Sequence, residues 1–271
     1  MIIVPDYSSN NTQPPAFALR DKYGFWCYIR KLSMGGGPDN RLEDILSVRK
    51  AWAAMGGYHW NDPTQKWKIQ SDIFLNQIKI WNPNFLAFDI EQGWPWKDAN
   101  NLDYSKIIPP NQIYDNAAQV VPYVVRECGK PYMIYTSKGF VDQCCPDLGK
   151  WIGAQPLWCA SYPDLYYLTR KLTWPFTMGK FPYKPAQAQT PAKDIVEFMA
   201  NADPKTMQVP TGATNPVLWQ ITSRCLAWPE CTEPYDLSKN VIPDEDFRKL
   251  VLGEDYIPSV VPSPENDYGR I

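Results

Sequence analysis

Two carboxylic acids, Asp89 and Glu91, follow a short apolar stretch and are the first candidates for chemistry. In a strand over residues 85–92, alternation places both acids on one face and three large apolar residues on the other: Leu86, Phe88 and Ile90. An apolar outer face and an inner face that turns acidic are typical of a barrel strand covered by helices. Two residues of rise separate the Cβ atoms of the acids by roughly 6.5 Å, which is close enough to couple their titrations. One carboxyl group can then stay protonated while the other ionises.

Three interpretations of this Asp-x-Glu pair are open. It can be a solvated strand end, a pair of ligands for a hard cation, or a general acid with a carboxylate helper. The third suits carbohydrate cleavage, where the leaving oxygen is protonated while positive charge develops on the sugar. Aromatic residues make up 14% of the chain, and Trp94 and Trp96 follow the pair directly. These tryptophans either stack against sugar rings or cap the end of a barrel. The aromatic content favours carbohydrate chemistry, with Trp94 as a substrate contact.

Two further polar residues come at predicted strand ends. Asp6 follows the apolar stretch 2–4 and is either a site residue or a turn former. His59 is the single histidine, so a Ser-His-Asp or Cys-His mechanism would have to use it, and no Cys/His zinc set can form. A lone histidine beside aromatic residues is more often structural than catalytic. We therefore predict neither a metal nor another cofactor.

Strands and helices that could position these residues alternate through residue 162. Apolar periodicity predicts helices over 14–23, 40–54, 66–81 and 111–127, then 191–201 and 243–252. The pair Gly56-Gly57 is expected to end the second helix. Later strands are predicted over 155–162, 217–222 and 235–238. Alternation of this kind indicates parallel strands with crossover helices, and about eight strands close most economically as an α/β, TIM-like (β/α) barrel.

The barrel is predicted to span residues 1–252, with an insertion at about 163–215. Prolines, 27 in the whole chain, are concentrated in this insertion and after residue 243. Long ordered loops of this kind accumulate on the face of a barrel that carries the site. The tail 253–271 has no periodicity, so we expect an extended arm or a linker.

Composition excludes several classes of protein. The net charge is −2 and no basic block is present, so a nucleic-acid footprint is absent. The sequence contains no run of 18 apolar residues, so it predicts no membrane span. The first residues lack the positive region of a signal peptide, which indicates an intracellular protein or one exported by other means. The seven cysteines are expected to be reduced thiols, with Cys225–Cys231 as the only plausible bridge.

Seven short motifs occur in an order that is found in a known family. They are Asp6-Tyr7-Ser8, Gly57-Tyr58-His59-Trp60, Asp89-Ile90-Glu91, Ile134-Tyr135-Thr136, Leu157-Trp158-Cys159-Ala160-Ser161-Tyr162, Leu218-Trp219-Gln220 and Tyr235-Asp236-Leu237-Ser238. Over roughly residues 1–252 the sequence resembles the family 25 glycoside hydrolases, the Chalaropsis-type lysozymes common among phage endolysins. Each motif alone is weak, but seven in order at strand ends are strong together.

The resemblance implies a modified barrel with fewer helices than strands. It implies cleavage of the β-1,4 bond between N-acetylmuramic acid and N-acetylglucosamine in peptidoglycan. Glu91 would be the general acid, and Asp89 would assist, for example by holding the N-acetyl group of the substrate as the nucleophile. Asp6 and Asp236 would complete an acidic floor. Aromatic and amide side chains would line the groove: Tyr58, Tyr135, Trp158, Tyr162 and Gln220.

The sequence departs from the family pattern in two places. Residues 29–33 replace a Lys-Ala-Thr/Ser-Glu-like run that many members carry, so substrate contacts at that edge are open. The segment 163–215 is longer than usual, and it or the tail could dock a partner chain. An enzyme that acts on the bacterial cell wall without a signal peptide would be made in a host cytoplasm, then released by a holin or carried in a virion.

Two alternatives stand beside the lysozyme. One is a non-catalytic glycan-binding or virion structural protein on the same barrel, against which the four intact acids argue. The other is a hydrolase of a related N-acetylated glycan such as chitin.

Overall fold

Eight strands close into a barrel in the computed structural model, which describes residues 1–8, 16–39, 53–98, 101–162, 192–225 and 235–254. The barrel strands are β1 (Ile3–Tyr7), β2 (Cys27–Met34), β4 (Ala54–Trp60), β5 (Phe85–Asp89), β8 (Tyr132–Ser137), β9 (Leu157–Ala160), β10 (Pro216–Cys225) and β11 (Tyr235–Asn240). They follow one another around the barrel in chain order, and β1 pairs with both β2 and β11. Among these eight barrel strands, the first seven run parallel to one another, whereas β11 is antiparallel to both of its neighbours. The predicted barrel is confirmed.

Three short strands lie outside this ring. Strand β3 (Gly37–Pro38) pairs with the end of β2, and β6 (Trp96–Asp98) pairs with β7 (Asn101–Leu102) in a separate hairpin. The described helices are α1 (Ala16–Tyr23), α2 (Trp67–Trp81), α3 (Pro110–Cys128), α4 (Lys138–Cys144), α5 (Pro146–Ile152), α6 (Ala192–Asn201) and α7 (Asp244–Leu252). No described helix has the length and apolarity that a bilayer crossing requires.

The pair Gly56-Gly57 does not end a helix as predicted, because both glycines lie within β4. Residues 40–52 of the predicted helix lie outside the described part of the chain. A Cβ atom on Gly56 would lie 2.4 Å from the ring of Phe85, and one on Gly57 would lie 2.4 Å from Leu32. The glycines are there because large side chains pack directly on the strand backbone, a use of glycine inside strands that resembles a helix stop in sequence.

Strand β5 separates two apolar layers. Leu86, Phe88 and Ile90 pack outward against the helices, in a cluster with Phe74 and Trp81 of α2. The alternate residues Phe85 and Ala87 fill the barrel interior with buried residues from the other strands, among them Val4, Ile29, Met133, Trp158 and Leu218. The predicted alternation is thus confirmed, and it leaves Asp89 on the inner side.

Helix α7 lies at one end of the barrel. Its Phe247 and Val251 are fully buried in the interior cluster. Asn240 at the end of β11 and the N-terminal amine both contact Asp244 in the first turn of α7, at 2.8 Å and 2.7 Å. The parallel strands begin at this end, so α7 covers the N-terminal end of the barrel. The C-terminal end of the barrel is therefore the one available for the site.

The predicted insertion is only partly described, because residues 163–191 lie outside the described ranges. The helix predicted over 191–201 is confirmed as α6. The sequence placed this helix within a loop on the site face, but α6 packs elsewhere. Met199 is fully buried in the outer core cluster, and Lys239 of β11 donates to the carbonyl oxygens of Met199 and Ala202 at 2.6 Å and 2.5 Å. This part of the segment therefore belongs to the helical layer. The predicted tail beyond residue 254 and the predicted Cys225–Cys231 bridge lie outside the described side chains. The five cysteines whose side chains are described are free.

Candidate active site

Three strands bring four carboxylates to the C-terminal end of the barrel. Asp6 on β1 lies directly opposite Asp236 on β11 in the antiparallel register. Asp89 ends β5, and Glu91 follows two residues later. Asp6 and Asp89 are buried, whereas Glu91 and Asp236 are partly exposed. All four acids predicted from sequence thus lie at the same end of the barrel.

Residue Gln220 on β10 joins this acidic floor to two tyrosines. Its amide nitrogen donates to Asp236 at 3.1 Å and to Asp6 at 3.4 Å. Its amide oxygen accepts from the hydroxyl groups of Tyr135 at 2.7 Å and Tyr162 at 3.0 Å. Gln220 is almost fully buried, and these hydrogen bonds orient the four side chains that it contacts.

Burial favours the protonated forms of three of these carboxyl groups, those of Asp6, Asp89 and Glu91. Burial raises the pKa of Glu91 to about 7, and the nearby charge of Lys31 partly offsets this. Burial, with Glu91 as a further cause, also raises the pKa of Asp6 to about 7, although the hydrogen bond from Gln220 opposes it. The pKa of Asp89 lies well above its ordinary value because of burial first and the charge of Glu91 second. Carboxylates this close cannot all ionise together near neutral pH.

Lys31 is a site residue that sequence reasoning missed. It lies on β2, where alternation with Cys27 and Ile29 turns it inward, and it is 7% exposed. Its ammonium group lies 4.7 Å from the ring centre of Trp60 and 5.7 Å from that of Tyr58. Burial lowers the pKa of Lys31, whereas the acids, Asp89 foremost, raise it. Ile29 pairs with Asp6 in register, so counting two residues along β2 would have found Lys31.

The predicted aromatic residues divide into three positions. Tyr58, Tyr135 and Trp158 are buried in the interior, where Tyr135 and Trp158 meet edge to face at 4.5 Å and Trp158 donates to Ser238 at 2.9 Å. Tyr162 is 41% exposed and can face a ligand. Trp94 lies apart, against Tyr104 near the β6–β7 hairpin, with ring centres 5.3 Å apart.

His59 points to the outer face of β4, as its predicted structural role requires. It stacks on Phe74 at 5.2 Å and is fully buried. Gln70 Oε1, which can only accept, lies 3.0 Å from its Nε2, so that nitrogen carries the proton and Nδ1 accepts from Ser33 at 2.8 Å. Burial lowers the pKa of His59 to about 4, so the ring is neutral. In the described ranges, no group of three or more His, Cys, Asp or Glu residues is placed to hold a metal ion.

A closed barrel with a protonated acid beside a second carboxylate at its C-terminal end is typical of glycoside hydrolases. The family model described as Glycosyl hydrolases family 25 matches residues 6–178. The chain belongs to this family and is a glycoside hydrolase.

Solved structures with the same fold come from bacteria, fungi and phages. A lysozyme from Streptomyces coelicolor has a TM-score of 0.64 at 14% identity, covering 93% of this chain and 97% of that chain. A family GH25 lysozyme from Aspergillus fumigatus has a TM-score of 0.60 at 16% identity, covering 92% and 98%. The CTP1L endolysin has a TM-score of 0.59 at 18% identity, covering 95% and 71%. No curated protein matches the sequence.

Proposed function

We propose that the chain is a lysozyme that hydrolyses the β-1,4 bond between N-acetylmuramic acid and N-acetylglucosamine in bacterial peptidoglycan. Family membership supports glycoside hydrolysis. Structures with the same fold are described as lysozymes, muramidases and endolysins, which supports the substrate. The protein would act on the cell wall, after release by a holin or from a virion.

Partial exposure of Glu91 is the observation that carries the assignment of roles. Asp89 is buried, whereas Glu91 is partly exposed and has a pKa raised to about 7. A general acid must be protonated at the operating pH and must reach the leaving oxygen, and Glu91 meets both requirements. Glu91 would donate its proton to the glycosidic oxygen as the bond to the anomeric carbon breaks.

Asp89 would stabilise the positive charge that develops on the sugar. The carbonyl oxygen of the 2-acetamido group of the substrate would attack the anomeric carbon, and Asp89 would hold the amide N–H during this step. Water would then open the cyclic intermediate, with Glu91, now ionised, as the base. Because Glu91 follows Asp89 by only two residues at the end of β5, this substrate-assisted route fits better than two carboxylates that flank the bond.

Lys31 would set how many protons the cluster retains. Its positive charge lowers the pKa of both Asp89 and Glu91. One acid can therefore ionise while the other stays protonated, which is the state that the reaction requires.

The first test is the release of reducing ends from purified peptidoglycan by the native chain and by Glu91→Gln. We expect activity from the native chain and a loss of about 10²-fold or more in the variant, the scale for removal of a general acid. Glu127→Gln, an exposed position on α3, is the matched control and should remain fully active. Binding without any release by the native chain would instead identify a glycan-binding protein, and equal activity of both proteins would refute Glu91 as the acid.

A further inference from the structure

An aromatic groove lies beside the acidic cluster and has no role in the mechanism described so far. It has a volume of about 450 Å³ and lies between the end of β4 and the β6–β7 hairpin. Its lining includes Trp60, Trp96, Lys97, Asp98, Asn101 and Tyr104. Sequence reasoning named Trp94 and Trp96 as residues that either stack on sugar rings or cap the barrel, and it left Tyr104 unassigned.

The groove is continuous with the catalytic strand. Trp60 pairs in register with Asp89, so its side chain lies at the same end of the barrel as the acids. The Lys31 ammonium group contacts the Trp60 ring at 4.7 Å, and the same ammonium group acts on the charges of Asp89 and Glu91. A chain-like ligand that leaves the acidic cluster on this side would pass over Trp60.

The hairpin that forms the other wall is held in place at several points. The Trp96 indole N–H donates to the buried carboxylate of Asp62 at 3.1 Å. Backbone bonds join Asp103 to Pro95 at 2.7 Å and Ile108 to Gly93 at 2.9 Å. A wall fixed in this way loses little conformational entropy when a ligand binds.

The chemistry of the groove fits a sugar ring. Aromatic faces offer apolar area to the C–H face of a pyranose, and Tyr104 is 72% exposed. Polar groups at the rim would meet the hydroxyl and acetamido groups. They include the exposed Lys97 and the Asn101 amide, which donates to Asp98 at 2.9 Å. The groove is therefore neither a purely apolar docking surface nor a charged one.

We propose that this aromatic groove is a second sugar-binding site, which holds a distal N-acetylated sugar of the glycan strand while Glu91 cleaves the bond. The proposal rests on the proposed function and deepens it. The protein would bind and cleave long strands better than short ones, and Trp96 and Tyr104 would carry that preference.

The test uses peptide-free glycan strands of two, four, six and eight sugars, prepared from peptidoglycan. Binding is measured by calorimetry with the Glu91→Gln protein, which cannot consume the strands. We expect affinity to rise with length, and Tyr104→Ala in this background to weaken binding of the longest strand roughly tenfold without a change for the disaccharide. Trp96→Ala should have the same effect, although it also removes a donor to Asp62. Tyr104→Ala, at an exposed position, avoids this complication.

Ile107→Ala is the matched control, because Ile107 is 70% exposed, follows the hairpin and does not line the groove. It should bind every strand as the Glu91→Gln protein does. The proposal is overturned if affinity does not rise with length, or if the rise persists in Tyr104→Ala and Trp96→Ala. Reducing-end release by the native chain tests the proposed function separately, so an active enzyme without length dependence would refute the groove alone.

Discussion

The buried polar groups that lie on the two sides of strand β4 are paired to very different degrees. On the outer side, a buried network has a hydrogen-bond partner for each of its members, which are His59, Gln70, Asn116 and Asp62. Toward the interior, beside Trp60, one carboxylate oxygen of Asp89 is buried without any partner among the described residues.

The two buried aspartates show this contrast most clearly. Asp62 accepts from the backbone and hydroxyl groups of Thr64, the Gln92 amide and the Trp96 indole. Asp89 sits among other acids, and its pKa lies well above the ordinary value. A satisfied network stabilises the fold, whereas an unsatisfied, partly protonated cluster is costly to fold and is typical of a site that reacts. The same substitution at the two positions should therefore have opposite consequences.

Asp89→Asn should produce the largest effect on activity. We expect reducing-end release to fall by about 10²-fold or more, because the carboxylate that assists the reaction is lost. The melting temperature should stay the same or rise, since a buried carboxylate without full pairing is removed. Activity assays and thermal unfolding on one preparation measure both, and a large loss of stability would mean that Asp89 is structural.

Asp62→Asn should produce the largest effect on stability. The amide has only one acceptor oxygen, so donors that now share two oxygens would be left unpaired or would meet an NH₂ group. We expect a loss of about 2–4 kcal/mol in the free energy of unfolding, measured by denaturant titration. Asp147→Asn, at an exposed position, should change stability by less than about 0.5 kcal/mol. An unchanged Asp62→Asn protein would contradict the structural role of the outer network.

The outer and inner groups should respond to pH with opposite signs. The pKa of His59 is lowered from 6.5 to about 4 in the fold, so its contribution to stability is complete above pH 6.5 and is lost as the pH falls toward 4. At pH 4 the free energy of unfolding is lower by about 3 kcal/mol than it is above pH 6.5 because of this group. The pKa of Asp6 and of Glu91 is raised to about 7, so these acids favour the folded state as the pH falls from 7 toward 4.

His59→Gln separates the two contributions, because it keeps a neutral donor toward Gln70 and cannot titrate. The stability advantage of the native chain over this variant should shrink between pH 6.5 and 4. A constant difference across that range would contradict the pairing that we assign to His59. The alkaline limb of the activity profile should be the same in both proteins.

Lys31→Met should produce the smallest effect, a shift in the pH profile of kcat/KM. Activity requires the protonated acid, so the native profile should fall as the pH rises through about 7. Removing the positive charge raises the pKa of Glu91 further, and the falling limb should move to higher pH. Lys79→Met, at an exposed position on α2, should leave the limb in place. A shift to lower pH would contradict the electrostatic role of Lys31.

Strand periodicity in the sequence was enough to predict the barrel, the alternation of β5 and the position of Asp6, Asp89 and Glu91 at strand ends, whereas Asp236 was predicted only from the family resemblance. It failed at Gly56-Gly57, because a glycine pair that accommodates large side chains looks like a helix stop. It missed Lys31, since a lone lysine in a strand gives no sign of which face it takes until the register is known. The buried role of Gln220 depends on contacts among β1, β10 and β11, which are far apart in sequence.

The carboxyl titration of Glu91 tests the central claim most directly. Carbon NMR on protein labelled at its glutamate side chains would follow each carboxyl group from pH 3 to 9, and Glu91→Gln would identify the signal of Glu91 by its loss. We predict a Glu91 signal that titrates near pH 7, well above the other glutamates. A Glu91 signal that titrates near the ordinary value for glutamate would show an ionised side chain at neutral pH and would contradict its assignment as the acid.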